Sequence, residues 1–414
     1  MPDVSVIIPV YNVEQWLPAC LDSVLSQTFQ NYEVICVNDC SPDGCSAILS
    51  EYAARDPRIH VINLEKNGGQ GIARNVGFEA STGRYAYFLD SDDMVAHEAL
   101  SELVACADEN NLDGIFFDSS AVFDTPELAK RHESYPACHT GSYPTDVMRG
   151  IDLFESFVAQ YDWTCYVQRQ FWNSDYLRKN DIVFPYLSPH EDEAFAFEAI
   201  VRADRIMYLP KPFFIRRYRA GSAMTSKMGL RNFMSYFQAL DLMLNISHNL
   251  GLDSNEVRSN IGRIFFACKR LFEQLKREGI DPGEKLAQDP SLFSSYLVFS
   301  SSQDFFLHYG LLSPHVNEQI AQYERLYIYG AGAIASDVFD MLALTGHAIE
   351  GFLVTSLDKN PSAFKGHHVR ELAEVPCDRD ALVIVSVTDG YRADVEQALD
   401  SAGWNYVYFK DGRA

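Results

Sequence analysis

The first quarter of the chain alternates continuous apolar runs with segments of helical period, and this restricts the fold more than any other feature. "VSVIIPV" (Val4 to Val10) is apolar and rich in β-branched residues without a break, as a strand buried on both faces must be. "YEVICVND" (Tyr32 to Asp39), "IHVINL" (Ile59 to Leu64) and "YAYFLD" (Tyr85 to Asp90) read the same way. Between the first two, Trp16, Leu17, Cys20, Leu21, Val24 and Leu25 recur at helical spacing. They predict a helix from Glu14 to Ser26, with Asn12 able to cap it and Pro18 early enough to be tolerated. "CSAILSEYAAR" predicts a second helix, and the loop "EKNGGQG" opens a third through "IARNVGFEAS". This βαβαβαβ order predicts a mostly parallel sheet covered by helices. Ligands of such sheets bind beyond the carboxyl ends of the strands, where Asn12, Asp39, Asn67 and Asp90 fall.

The remaining chain divides by pattern. Residues 1–227 read as one α/β domain, 228–323 as a mainly helical region, and 324–414 as a small second α/β unit. At 414 residues the chain is long enough for two to three domains. It contains no apolar run long enough for a transmembrane helix. The start, "MPDVSVIIPVYN", reads as a first strand and not as a signal peptide. These features predict a cytoplasmic protein and leave peripheral membrane contact and homo-oligomerisation open. The formal charge of −23 argues against nucleic acid or anionic lipid as general partners and suits the use of metal cations. Nine scattered cysteines, with Cys36, Cys40 and Cys45 in no zinc-like spacing, read as reduced structural thiols.

The sharpest chemical signal is "YAYFLDSDD", a buried-type strand ending in three carboxylates. Asp90 and Asp92 form an Asp-x-Asp pair suited to Mg²⁺ or Mn²⁺ bound to a diphosphate, since these ions take carboxylate and phosphate oxygens. The alternative is a turn in which Asp93 caps a helix over "MVAHEALSEL". Asp39 can accept a nucleobase N–H or simply hold a turn. Tyr11 can face the same base or pack in the core. "NGGQGIARN" (Asn67 to Asn75) sets backbone amides and Arg74 at a helix N-terminus, which favours anions. Arg74 can equally pair with a nearby Asp.

Three stretches in order, "SVIIPVYNVEQWLPACLDSVLSQTFQNYEVICVNDCSPDGC", "NGGQGIARNVGFEASTGRYAYFLDSDD" and "HEDEAF", resemble glycosyltransferase family 2 and its GT-A fold, over Val4 to Ser226. The resemblance implies a nucleoside-diphosphate sugar donor and inversion at the anomeric carbon. It assigns Pro9, Val10, Tyr11 and Asp39 to the nucleobase, most often uracil. Asn67 and Arg74 join the donor site, Asp90 meets the ribose or the metal's water shell, and Asp92 coordinates the metal. The usual Asp-Asp-Gly-Ser is here Asn38-Asp39-Cys40-Ser41. In "SPHEDEAF" the resemblance makes Asp192 the catalytic base, with Glu191 beside it. Glu191 and Glu193 would raise its pKa; an acidic first helical turn is the alternative. In "IRRYRAGSAMTS" it points to Arg217, Arg219 and Ser222 at the diphosphate, with pairing to the protein's own carboxylates as the alternative. Trp163 and Trp172 stack on an acceptor sugar or pack in the core.

The C-terminal "YIYGAGAIA" resembles a Rossmann dinucleotide turn with Ala335 in the third glycine position. No ribose-binding acid ends the next strand, "IEGFLVTSLDKN", so association or another nucleotide is the better expectation than NAD. The predicted activity is sugar transfer to a glycan or lipid-linked acceptor in surface polysaccharide synthesis. Its rivals are a non-catalytic nucleotide-sugar-binding scaffold and a bifunctional enzyme with an NAD(P)-dependent C-terminal unit.

Overall fold

The apolar runs form strands in the computed structural model: β1 (Val4–Val10), β2 (Tyr32–Asn38), β3 (Ile59–Asn63) and β4 (Tyr85–Phe88). The structure describes residues 1–131, 138–160, 162–187, 189–219, 228–287 and 319–408, the last without 333–334, 337, 340–341, 343–346, 359 and 388–390. β1 pairs in parallel with β2 and β4 on its two sides, and β2 pairs in parallel with β3. Every residue of β1 is buried, which is why it shows no alternation of apolar and polar residues. On one face, α1 (Leu17–Leu25), α2 (Cys45–Arg55) and α4 (Ala99–Asn110) bring Leu21, Val24, Leu49 and Leu103 onto Val6, Ile8 and Val34. On the other face, α3 (Gln70–Ala80) packs Ala73 on Ile35 and Val37. Gly77 permits that approach, because a Cβ there would stand 2.6 Å from Ile7 Cγ2.

The four strands that the pattern predicts pair in parallel, as expected, and later strands make the whole sheet mixed. Its order is β3-β2-β1-β4-β7-β6-β8-β5, completed by β5 (Met94–Val95), β6 (Gly114–Phe123), β7 (Gln170–Asn173) and β8 (Ile206–Tyr218). β7 runs antiparallel to both β4 and β6. It therefore carries the residues just before it to the carboxyl end of β4. β5 pairs antiparallel with β8, Met94 opposite Ile215, which draws the basic end of β8 to the Asp-x-Asp loop. The short α5 (Pro126–Arg131) and α6 (Gly150–Ala159) follow β6, and α7 (Ser174–Lys179) follows β7.

Two helix starts differ from expectation. α1 begins at Leu17, and Asn12 does not cap it; Asn12 has φ 55° and donates its backbone N–H to Ser41 Oγ at 2.8 Å. α4 begins at Ala99, and Asp93 does not cap it, because Met94 and Val95 are taken into β5. All nine cysteines are thiols.

The chain falls into two compact units, Met1–Gly251 with Ala267–Pro282, and Leu252–Phe266 with Gly283–Ala414. The first includes α8 (Glu191–Val201) and α9 (Leu230–Leu250), so residues 228–251, read as the start of a helical region, lie within it. α10 (Asn255–Arg277) and α11 (Pro282–Leu286) follow. The second unit holds a six-stranded sheet of β9 (Arg325–Tyr329), β10 (Ile349–Val354), β11 (Ala363–Phe364), β12 (His367–Glu371), β13 (Ala381–Val385) and β14 (Asn405–Tyr408), with α12 (Arg392–Ala402) before the last. Its order, β11-β12-β10-β9-β13-β14, places the first strand between the second and fifth, as in doubly wound folds. Among the described residues no helix is long and apolar enough to cross a membrane.

Candidate active site

The carboxyl ends of β1, β2 and β4 form one edge of the first sheet. Asp39 lies just past β2, buried, and its two carboxylate oxygens accept the backbone N–H groups of Gly68 and Gly69 at 2.7 and 2.8 Å. Gly69 has φ 90°, a conformation that favours glycine. Asn67 donates Nδ2 to the Asp39 carbonyl at 3.3 Å. Asp39 thus holds the glycine-rich loop, while each oxygen keeps lone pairs for a further donor. The departure at Asn38 has a physical reason. Its amide accepts the Ser41 N–H and donates to Asn63 Oδ1, and a carboxylate could not do both. Pro9 and Val10 are buried within β1. Tyr11 stands out, 46% exposed.

The Asp-x-Asp loop sorts its carboxylates by partner. Asp90 Oδ1 accepts from Arg74 Nη2 at 2.7 Å, and Oδ2 from Gln168 Nε2 at 2.6 Å. Asp92 Oδ2 accepts from Arg219 Nε at 2.7 Å, with the Arg219 guanidinium 4.0 Å from the centroid of Trp16. Burial and the charge on Asp90 push the Asp92 carboxyl up, against the pull of Arg219. Asp93 is buried and accepts the Arg217 backbone N–H at 2.7 Å; burial, Asp92 and Asp90 push its carboxyl well up. The Arg217 guanidinium turns away to Asp124 at 2.8 Å. Arg217 and Arg219 therefore meet the protein's own carboxylates, and among the described residues of the segment Arg219 does so at the metal candidate. Ser222 lies outside the described residues.

The second acidic group opens α8. His190 precedes it at φ 77°, its ring stacked on Tyr236 of α9. Glu191 and Glu193 are buried, and Glu191 Oε1 accepts from Arg74 Nη1 at 2.7 Å. Asp192, partly buried between them, accepts from the Cys165 thiol at 3.5 Å. Burial, Glu191 and Glu193 push its carboxyl up to about 7, against Arg74 and Cys165. A helix N-terminus ordinarily favours the carboxylate, but two like charges and desolvation outweigh that here. The result is a carboxyl raised toward neutral pH, the range that suits a general base.

Of the two readings of Arg74, phosphate or a nearby Asp, the structure shows the pairing with Asp. Arg74 is 2% exposed, lies 5.1 Å from the Phe184 ring, and is divided between Asp90 and Glu191. Burial works against its charge, but the two carboxylates outweigh it and hold the guanidinium protonated. It is the tie between the two acidic groups. Of its two readings, Trp172 takes core packing: it is fully buried, edge-on to Phe116. Trp163 packs on Phe154 and Phe116. Sequence reasoning missed Gln168 and Cys165, whose only signal was polarity inside the aromatic run "DWTCYVQRQFW".

Asp92 and Asp90 offer the hard oxygen ligands that Mg²⁺ or Mn²⁺ takes, and Asp92 already draws a guanidinium. The donor set therefore fits such an ion. Among the described residues no set of three His, Cys, Asp or Glu side chains could hold a metal, so the remaining ligands would be phosphate and water oxygens.

Residues 5–173 match the family model described as Glycosyl transferase family 2. The chain is 34% identical over 223 residues to the uncharacterized glycosyltransferase EpsJ of Bacillus subtilis, covering 54% of this chain and 63% of that one. It is 31% identical over 207 residues to a poly(ribitol-phosphate) beta-glucosyltransferase of Bacillus spizizenii, covering 49% of this chain and 30% of that one. The matches thus span less than two thirds of these relatives. The crystal structure of S. aureus TarS 1-349 shares the fold, with a TM-score of 0.50 and 24% identity over 65% of this chain and 73% of that one.

Proposed function

From the match of residues 5–173 to glycosyltransferase family 2, we propose that the chain belongs to that family and is an inverting glycosyltransferase using a nucleoside-diphosphate sugar, of uridine by preference. The acceptor is a hydroxyl of a glycan or lipid-linked glycan of a surface polysaccharide. The related beta-glucosyltransferase, named for a poly(ribitol-phosphate), supports that acceptor class.

The observation that carries the reading is the pairing of Asp192, titrating near 7, with a separate carboxylate group at the Asp-x-Asp loop. Asp192 takes the proton of the acceptor hydroxyl, whose oxygen forms a bond to the donor's anomeric carbon. The bond from that carbon to the diphosphate breaks, and the nucleoside diphosphate leaves with the electron pair. Tyr11 and Asp39 flank the nucleobase, and Asn67 steadies the loop beside it. Asp92, with Asp90, would hold Mg²⁺ or Mn²⁺, which when bound supplies positive charge for the departing diphosphate. Arg219, at Asp92 in this structure, is placed to move onto that diphosphate.

A thermal-shift series with UDP and UDP-sugars, with and without Mn²⁺, tests the donor site. Mn²⁺-dependent stabilisation by a uridine nucleotide, lost in Asp92→Ala, is expected, since a ligand of the native state raises the melting temperature by mass action. No shift with any uridine nucleotide would reject the donor assignment.

A further inference from the structure

Asp90 and Asp192 lie on different elements, and two bridges join their surroundings. Arg74 makes the first, through Asp90 and Glu191. The second is the short segment ahead of β7. Gln168 reaches Asp90 Oδ2 at 2.6 Å, and Cys165 reaches Asp192 Oδ2 at 3.5 Å. Only Tyr166 and Val167 separate these two residues, and the 3₁₀ turn Val167–Arg169 stiffens the stretch. Its far side is pinned by the buried Arg169. That guanidinium donates Nε to the Phe117 carbonyl at 3.1 Å, Nη1 to Thr164 Oγ1 at 3.3 Å and Nη2 to Asp118 Oδ1 at 3.0 Å. The two contacts thus leave one short segment, anchored at Arg169.

We propose that Cys165 and Gln168 are positioning residues on one strap, Gln168 fixing the donor-side carboxylate Asp90 and Cys165 orienting the acceptor-side base Asp192. The strap sets the spacing between the two halves of the transfer site, and this rests on the reading of Asp192 as base. The groups facing Asp192 are Glu191 and Glu193 on its own helix, Arg74 from α3 and Cys165 from the strap; His190, just before α8, stacks on Tyr236 of α9. Among them Cys165 is the one neutral donor shown on the Asp192 carboxylate. Removing that donor weakens the charged form, so the proton should be held to higher pH.

The test follows Asp192 directly by carboxyl-¹³C aspartate NMR, its signal identified by its loss in Asp192→Asn. In Cys165→Ala the signal should titrate about half to one pH unit higher than in the wild type. In Cys165→Ser, which keeps a donor, it should stay at or below the wild-type midpoint. In Gln168→Ala the midpoint should not move, while calorimetry with Mn²⁺ and UDP should show affinity about 3- to 10-fold weaker. An unmoved midpoint in Cys165→Ala, or unchanged UDP affinity in Gln168→Ala, overturns the strap. Asp192→Asn retaining full sugar transfer would instead reject the base reading, and the NMR result would stand apart from it.

Discussion

Two stretches of this chain carry three carboxylates within four residues, Asp90, Asp92 and Asp93 after β4, and Glu191, Asp192 and Glu193 at the start of α8. Their compositions are alike and their fates are not. In the first, each carboxylate is given a donor of its own: Arg74 and Gln168 for Asp90, Arg219 for Asp92, a backbone N–H for Asp93. In the second, Arg74 goes to Glu191, and Asp192 is shown only a thiol. Under the proposed function, the first cluster would exchange its guanidinium for a metal ion, and the middle member of the second would exchange a proton. The difference comes from partners and not from the acids.

The largest effect should come from removing the proton acceptor. Asp192→Asn should lower kcat by about 10²- to 10⁴-fold and leave UDP affinity unchanged by calorimetry. A comparable loss of UDP affinity would erase the division of labour between the two groups. Next is the tie between them. Arg74→Met leaves the buried Glu191 and the half-buried Asp90 without their cation, which should cost about 3 kcal/mol in urea denaturation.

The comparison sharpens with pH. The Asp192 carboxyl is raised to about 7, so the folded state holds its proton more tightly than the unfolded chain does. Its contribution is fully present below the unfolded value near 4 and is lost as pH rises through about 7. Asp192→Asn should therefore melt higher than wild type at pH 8, by roughly 1–3 kcal/mol, and the gap should close toward pH 4. Transfer by the wild type should rise through pH ~7 as the base deprotonates. The smallest effect belongs to the loop's buried member. Asp93→Asn keeps an acceptor for the Arg217 N–H and should change stability by no more than about 1 kcal/mol, with Mn²⁺-dependent UDP binding retained. Loss of that binding in Asp93→Asn would move the metal role from Asp92.

Much of the framework was legible because it rests on local pattern. A strand buried on both faces must read as a continuous apolar run, and Val4 to Val10 does. The positions of Asp39, Asp90 and Asp192 at element ends followed from the same reading. What could not be read was pairing. Arg74 at a helix N-terminus looked available to phosphate, but a residue 117 positions away claims one arm of its guanidinium. Gln168 offered no motif at all, and its role depends on β7 entering the sheet antiparallel beside β4. Trp172 could stack on an acceptor or pack in the core, and Gly114 of β6, whose absent Cβ leaves room for the indole, places it in the core.

By itself, the sequence determined the alternating strand and helix scaffold, the two acidic groups and the ends of the elements on which they stand. These depend on side-chain period and turn chemistry, which act over a few residues. The tertiary structure alone decided which carboxylate receives a cation and which receives only a thiol. Burial and the distances between charges set that choice, and both exist only once the sheet has brought α3, the strap before β7 and the end of β8 to one edge.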